Sequence, residues 1–120
     1  MNERLRARLV DVCEEARFSL DLVSRHGAQI ETDVVLRKAL ERSCEIAGEA
    51  LRAMVEHDPE IPVEYPKLPW REAIGLRTKL AHGYGSITPT RLIAVVEREF
   101  PVLLEEAEAI LKAGPDPRAS

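Results

Sequence analysis

The spacing of hydrophobic positions predicts helices along most of the chain. Apolar residues recur every three or four positions within residues 5–23, 36–55, 70–81 and 95–111. This period places them on one face of an α-helix. No segment shows the alternation of apolar and polar residues that is typical of a half-buried strand. We therefore predict an all-α protein, with Thr32 as a plausible cap at the start of the second helix.

Glycine and proline positions divide this pattern into separate helices. Gly27 follows a basic pair and predicts the end of the first helix. Four prolines within residues 59–69 predict an extended, stiff connection, and Pro101 is expected to end or kink the last helix. The expected architecture is an up-and-down bundle of four or five helices over residues 1–112, followed by a flexible tail at 113–120.

Composition is typical of a soluble globular domain. Of the 120 residues, 45% are hydrophobic and 32% are charged, and no apolar run approaches the length of a membrane helix. The first residues lack the apolar stretch of a signal peptide. Cys13 and Cys44 lie in apolar helical patterns, so we expect buried free thiols. A cytoplasmic location is the expectation, without a membrane partner.

The charge of the chain is uneven. The net charge is −4, yet residues 67–98 contain six basic and two acidic side chains. A basic region on an acidic body suits local anion binding and argues against general wrapping in nucleic acid, so we expect no DNA partner. The alternative is that these charges are solvated helix faces.

The segment from Arg77 to Tyr84 concentrates the candidate chemistry. A guanidinium can hold a phosphate in a two-pronged grip, and an imidazole can move protons near neutral pH. Together they suffice for cleaving RNA without a metal. Arg77 and His82 are five positions apart, which separates them by about 140° on an ideal helix. Either the helix loosens before Gly83, or a second copy of the chain completes the site.

Each of these side chains also has a purely structural interpretation. Arg77 could be a surface ion-pair partner, and His82 could cap or pack a helix end. Tyr84 suits a half-buried interface position, and Trp70 is expected in the core rather than stacked on a substrate. His26 and His57 stand at other helix ends without ligand spacing, so no metal site is predicted.

The spacing within this segment resembles the signature of HEPN-domain proteins of the HepT toxin type. That signature is an arginine, four residues, a histidine, one residue and a tyrosine. Residues 46–50 (Ile-Ala-Gly-Glu-Ala) resemble the family's glycine-glutamate-alanine segment. Residues 68–77, which begin Leu-Pro-Trp, resemble its entry to the catalytic helix. The resemblance covers roughly residues 30 to 112.

The resemblance implies an all-helical homodimer and a metal-independent endoribonuclease, the toxin of a type VII-like toxin–antitoxin pair. It implies that Arg77 binds the scissile phosphate of RNA and that His82 is general base or acid as the 2′-hydroxyl attacks. The implied antitoxin is a minimal nucleotidyltransferase of the MntA type, which transfers AMP from ATP to Tyr84. The chain itself would need no cofactor, because the partner uses the ATP.

Three further residues are assigned supporting roles: Thr78, Lys79 and Glu49. Thr78 stands where the family commonly has asparagine, and it lacks the amide's second hydrogen-bonding arm. An aromatic residue often found just beyond the tyrosine is replaced by Gly85. Glu49 could orient a catalytic group or merely line the bundle. A catalytically weak or inactive helical subunit, which partners a nucleotidyltransferase and binds RNA or nucleotide, is therefore the alternative function.

Overall fold

The protein folds as a bundle of α-helices, as the sequence predicts. A computed structural model describes residues 1–82 and 87–114, and those ranges contain helices and no strand. The four long helices are α1 (Glu3–His26), α3 (Val34–His57), α5 (Trp70–Ala81) and α6 (Pro89–Ala113). Two single turns, α2 (Gln29–Thr32) and α4 (Ile61–Glu64), stand in the connections. The all-α prediction is confirmed, and the two short turns are additions to it.

Side chains with short polar groups fix where the long helices begin. The side-chain oxygen of Asn2 accepts from the amide of Leu5 at 2.9 Å at the start of α1. The carboxylate of Asp33 accepts from the first free amides of α3 at 2.9 and 3.2 Å. Thr32 is the last residue of α2, so the prediction that it caps the second helix was wrong. Gly27 ends α1 with a φ of 45°, as predicted.

The prolines interrupt the helices less than the sequence predicts. The predicted extended connection contains α4, because Pro62 occupies the first turn of that helix, where no amide donor is needed. Pro101 neither ends α6 nor lies at its boundary, since the helix continues to Ala113. The indole of Trp70 is buried and donates from Nε1 to the carbonyl of Tyr65 at 2.9 Å, which fastens the connection to the start of α5.

The core lies between the long helices, and α5 packs on α3. α1 packs against both α3 and α6, and α3 packs against α5 on another side. All four long helices contribute fully or nearly buried side chains: Leu9, Val12, Leu40, Leu51, Leu76, Phe100 and Leu103. Since the candidate motif begins on α5, its position relative to the rest of the protein is set by the α3–α5 contact.

Both cysteines are buried free thiols, as predicted. Burial raises the pKa of Cys44 to about 12, with a hydrogen bond from Ser19 acting weakly in the opposite direction. The thiol therefore stays protonated and unreactive near neutral pH. None of the helices in the described part of the chain combines the length and the hydropathy needed to cross a membrane.

Candidate active site

A glycine allows α3 and α5 to approach closely at the candidate site. A Cβ placed on Gly48 would lie 2.4 Å from the Cβ of Arg77 and 2.6 Å from the carbonyl oxygen of Ala73. Real Cβ atoms do not come so near to other atoms, and one of the two is backbone of α5. Any larger residue at this position would push the helices apart. The contact brings Glu49, the next residue of α3, to the side chain of Arg77.

Arg77 is held through its Nε, and its other two nitrogens have no partner among the residues that the structure describes. Its Nε lies 2.7 Å from Oε2 of Glu49, and the arginine side chain is 28% exposed. Within residues 1–82 and 87–114, the two terminal nitrogens of Arg77 have no ion-pair or hydrogen-bond partner. A guanidinium fixed through Nε keeps its two terminal nitrogens available. This pair of nitrogens, the fork of Arg77, matches two oxygens of a phosphate.

Glu49 is itself held from the other side by Arg52. Nη2 of Arg52 donates to Oε1 of Glu49 at 2.9 Å, and Nε donates to Oε2 at 3.3 Å. The remaining nitrogen of Arg52 donates to Glu56, one turn further along α3. Hydrogen bonding to Arg52, with a smaller contribution from the charge of Arg77, lowers the pKa of Glu49. The carboxylate facing Arg77 is therefore ionised near neutral pH.

Arg52 was missed by the sequence interpretation. Its signal was present, because Glu49, Arg52 and Glu56 are three and four positions apart and share one stripe of α3. Such a pattern is common on exposed helices, and only the contact with Arg77 connects it to the site.

His82 turns back onto its own helix. It follows the last residue of α5, and its backbone amide donates to the carbonyl of Thr78 at 3.3 Å. Nδ1 of its ring lies 2.6 Å from the same carbonyl oxygen. A carbonyl only accepts, so Nδ1 carries the hydrogen. In the neutral ring this leaves Nε2 as the proton acceptor, on an exposed side chain.

The other predicted residues are placed as follows. The hydroxyl of Thr78 donates to the carbonyl of Ile74 at 3.1 Å, a hydrogen bond within α5. The backbone carbonyl of Thr78, and not its side chain, contacts His82. Lys79 is exposed on the same helix. Tyr84 lies outside the described residues, as does the predicted tail from residue 115 onward.

Within residues 1–82 and 87–114, Arg77 and His82 have different partners and no hydrogen bond joins their side chains. Arg77 is drawn toward α3 by Glu49, whereas His82 folds onto the last turn of α5. The helix stays intact through Ala81, and the amide of His82 still bonds back to Thr78. The helix thus ends at Ala81, and His82 lies in a turn just beyond it, so both alternatives left open by the sequence remain predictions.

Comparison with known protein families matches residues 12–110 to the ribonuclease HepT-like family. The chain belongs to this HepT-like family. The resemblance seen in the motif and in its two flanking segments is thereby confirmed, over a longer part of the chain than those segments alone cover.

Three curated relatives of this HepT-like protein match it over most of both chains. A protein of Caldanaerobacter subterraneus subsp. tengcongensis named "Putative RNase" is 31% identical over 107 residues, covering 87% of this chain and 91% of its own length. Two proteins of Methanocaldococcus jannaschii with the same designation are 29% and 30% identical. They cover 88% and 90% of this chain and 95% and 88% of their own lengths. No solved structure gave a significant match.

The described part of this HepT-like chain contains no group of three or more histidine, cysteine, aspartate or glutamate side chains that could hold a metal ion. Glu49, the acid in contact with Arg77, accepts hydrogen bonds from Arg52, as does Glu56 one turn further along α3. The site thus presents two terminal guanidinium nitrogens of Arg77, whose spacing suits two phosphate oxygens, and an imidazole nitrogen of His82 that can accept a proton.

Proposed function

We propose that this chain is a metal-independent endoribonuclease that works as a homodimer. The observation that carries the proposal is the free fork of Arg77, aimed by Glu49, on the same helix that presents Nε2 of His82. The HepT-like family assignment and the relatives named as RNases support RNA as the substrate. No cofactor is required for the chemistry proposed here.

In the proposed reaction, the 2′-hydroxyl of RNA attacks the adjacent phosphorus and the bond to the 5′-oxygen breaks. Arg77 stabilises the extra negative charge on the phosphoryl oxygens. Nε2 of one His82 accepts the proton of the 2′-hydroxyl, and a second, protonated histidine donates one to the leaving oxygen. One chain supplies one motif histidine, so two copies supply the acid and the base.

The divergence of Arg77 and His82 within a chain supports the dimer. A symmetric pair buries the same surface from both copies, so a residue of one copy can complete the site of the other. If α5 forms that surface, the Arg77 fork of one chain and the His82 ring of its partner can face one phosphate.

Cleavage after removal of divalent metal tests the proposal directly. We expect purified protein to cut single-stranded RNA at an unchanged rate in excess EDTA, because both reacting groups are side chains. The assay should follow fragments on denaturing gels, with the oligomeric state measured by size exclusion and light scattering. RNA left intact under all conditions, or cut only after Mg²⁺ is added, would contradict the proposal.

We further propose that the chain is a toxin and that a minimal nucleotidyltransferase of the MntA type is its antitoxin. Tyr84 stands two residues beyond His82, so AMP attached to its phenol would place a phosphate near the site of catalysis. A negative group there would compete with RNA for the fork of Arg77. The modification would thereby stop cleavage without unfolding the protein.

Intact mass spectrometry tests the modification of Tyr84. After incubation with the nucleotidyltransferase and ATP, we expect the mass to rise by one or more AMP units and RNA cleavage to fall in proportion. Tyr84→Phe is the matched control, because it removes only the phenolic oxygen and should keep the original mass. An equal mass increase in Tyr84→Phe, or none in the wild type, would remove this part of the proposal.

One observation favours the second candidate, an RNA- or nucleotide-binding subunit that does not cut. Thr78 replaces the asparagine common in the family, and its hydroxyl is occupied by the carbonyl of Ile74. It therefore cannot replace the amide as a donor toward the phosphate. Protein that binds RNA but leaves it intact in both EDTA and Mg²⁺ would establish this second function.

A further inference from the structure

An open, positively charged cleft lies where α1 begins and α3 ends. Its volume is about 330 Å³, and its polar lining consists of Arg4, Arg8, Glu56 and His57. Arg4 and Arg8 are four positions apart on α1, so their side chains leave the same face of the helix. His57 is the last residue of α3 and adds an imidazole to the rim.

In the described part of the chain, the positive charges of this cleft are not paired with an acid of the cleft itself. In the described part of the chain, the side chains of Arg4 and Arg8 have neither an ion pair nor a hydrogen bond, and both residues are exposed. Glu56, the acid of the cleft wall, already accepts from Arg52. Two guanidinium groups therefore face solvent across a concave surface whose acid is neutralised.

The cleft is connected to Arg77 by a line of contacts along α3. Arg77 contacts Glu49, Arg52 joins Glu49 to Glu56, and Glu56 lines the cleft. From Glu49 to Glu56 the helix rises by roughly 10 Å. A stacked strand that runs along α3 from Arg77 to the cleft therefore covers about three nucleotides or more, at about 3.4 Å of rise per nucleotide.

We propose that Arg4, Arg8 and His57 form a second phosphate-binding subsite, which holds a single RNA strand about three nucleotides from the phosphate at Arg77. The inference rests on the proposed function for its substrate. A strand with regularly spaced phosphates fits an open cleft better than a free phosphate does, because an isolated small anion needs an enclosing site. The subsite contributes binding and register and does not take part in the chemical step.

Binding of RNA by variants that cannot cut it tests the subsite. In a His82→Ala background, the affinity for a single strand of about 12 nucleotides is measured by fluorescence anisotropy over a series of salt concentrations. We expect Arg4→Gln/Arg8→Gln to raise Kd about tenfold, because two phosphate contacts are lost. The slope of log K against log salt should become shallower by about 1.4.

The matched control is Arg37→Gln/Lys38→Gln, which removes the same charge near the start of α3, at the opposite end of that helix from His57. We expect its Kd to stay within about twofold of the parent, since the general field of the protein changes little. Arg4→Lys/Arg8→Lys, which keeps the charge, should recover most of the affinity. Circular dichroism checks that each variant is folded.

The outcomes separate the subsite from the catalytic proposal. Equal losses in the two glutamine variants, no loss in either, or no measurable binding by the parent would each overturn the subsite. If wild type fails to cut RNA in EDTA while the two variants differ as expected, the ribonuclease proposal fails and the subsite stands. If wild type cuts RNA and the Arg4→Gln/Arg8→Gln affinity is unchanged, only the subsite fails.

Discussion

His82→Ala is expected to lower the rate of RNA cleavage by about 10³-fold, within the range that general acid–base catalysis usually contributes. Nδ1 of His82 is fixed on the carbonyl of Thr78, so Nε2 is the nitrogen available to accept a proton. In a homodimer the substitution removes both histidines, and the 2′-hydroxyl and the leaving oxygen both lose their proton-transfer partner. The fold should persist, because the ring is exposed and its hydrogen bond within the described residues is to the last turn of α5.

Single-turnover cleavage of a labelled RNA measures this effect. The matched control is His26→Ala, a histidine at the end of α1 whose ring contacts Gln29 and which lies outside the proposed site. We expect the control to keep full activity, and both variants to keep the thermal midpoint and the oligomeric state of the wild type. If His82→Ala retains wild-type activity, His82 is not the proton-transfer group.

Arg77→Lys is expected to lower the rate of cleavage by about 10²-fold, comparable to the loss of one donor that stabilises a developing oxyanion. Lysine keeps the positive charge and an aliphatic stem, so packing near Gly48 is largely preserved. It has no second nitrogen with which to contact Glu49 while gripping two phosphoryl oxygens. The loss should appear mainly in the maximal rate, because charge attraction to RNA remains.

The matched control for this substitution is Arg71→Lys. Arg71 is exposed near the start of α5, and within residues 1–82 and 87–114 its side chain has no ion pair. We expect Arg71→Lys to cleave RNA at the wild-type rate, with rates measured at saturating RNA for both variants. Full activity in Arg77→Lys would mean that charge alone is needed and that the fork of Arg77 has no special role.

The sequence predicted the helices well because their signals are local. Apolar spacing identified all four long helices, and Gly27 marked the end of α1, where a positive φ favours glycine. An error arose at the start of α3, where Asp33 and not Thr32 caps the helix. Pro101 was expected to end or kink α6, and the helix continues past it to Ala113, with Phe100 and Leu103 buried on either side of it.

The site was predicted only in part, for the same reason. The residue types of the motif were visible in the sequence, and the family assignment agrees with them. The position of the Arg77 guanidinium could not be read from the sequence. It depends on a glycine and a glutamate almost thirty residues earlier in the chain. Nor could helical spacing show which nitrogen of His82 is free, because the carbonyl of Thr78 decides this.

The sequence by itself thus determined the fold class, the helix positions and the family, because periodicity, caps and motif spacing are properties of neighbouring residues. Only the tertiary structure decided how Arg77 is aimed and that Arg52 supports it. Gly48 lets two helices approach closely, and through that approach Glu49 and Arg52 of α3 hold the side chain of Arg77 on α5. Contacts between distant segments depend on such packing, which no local pattern specifies.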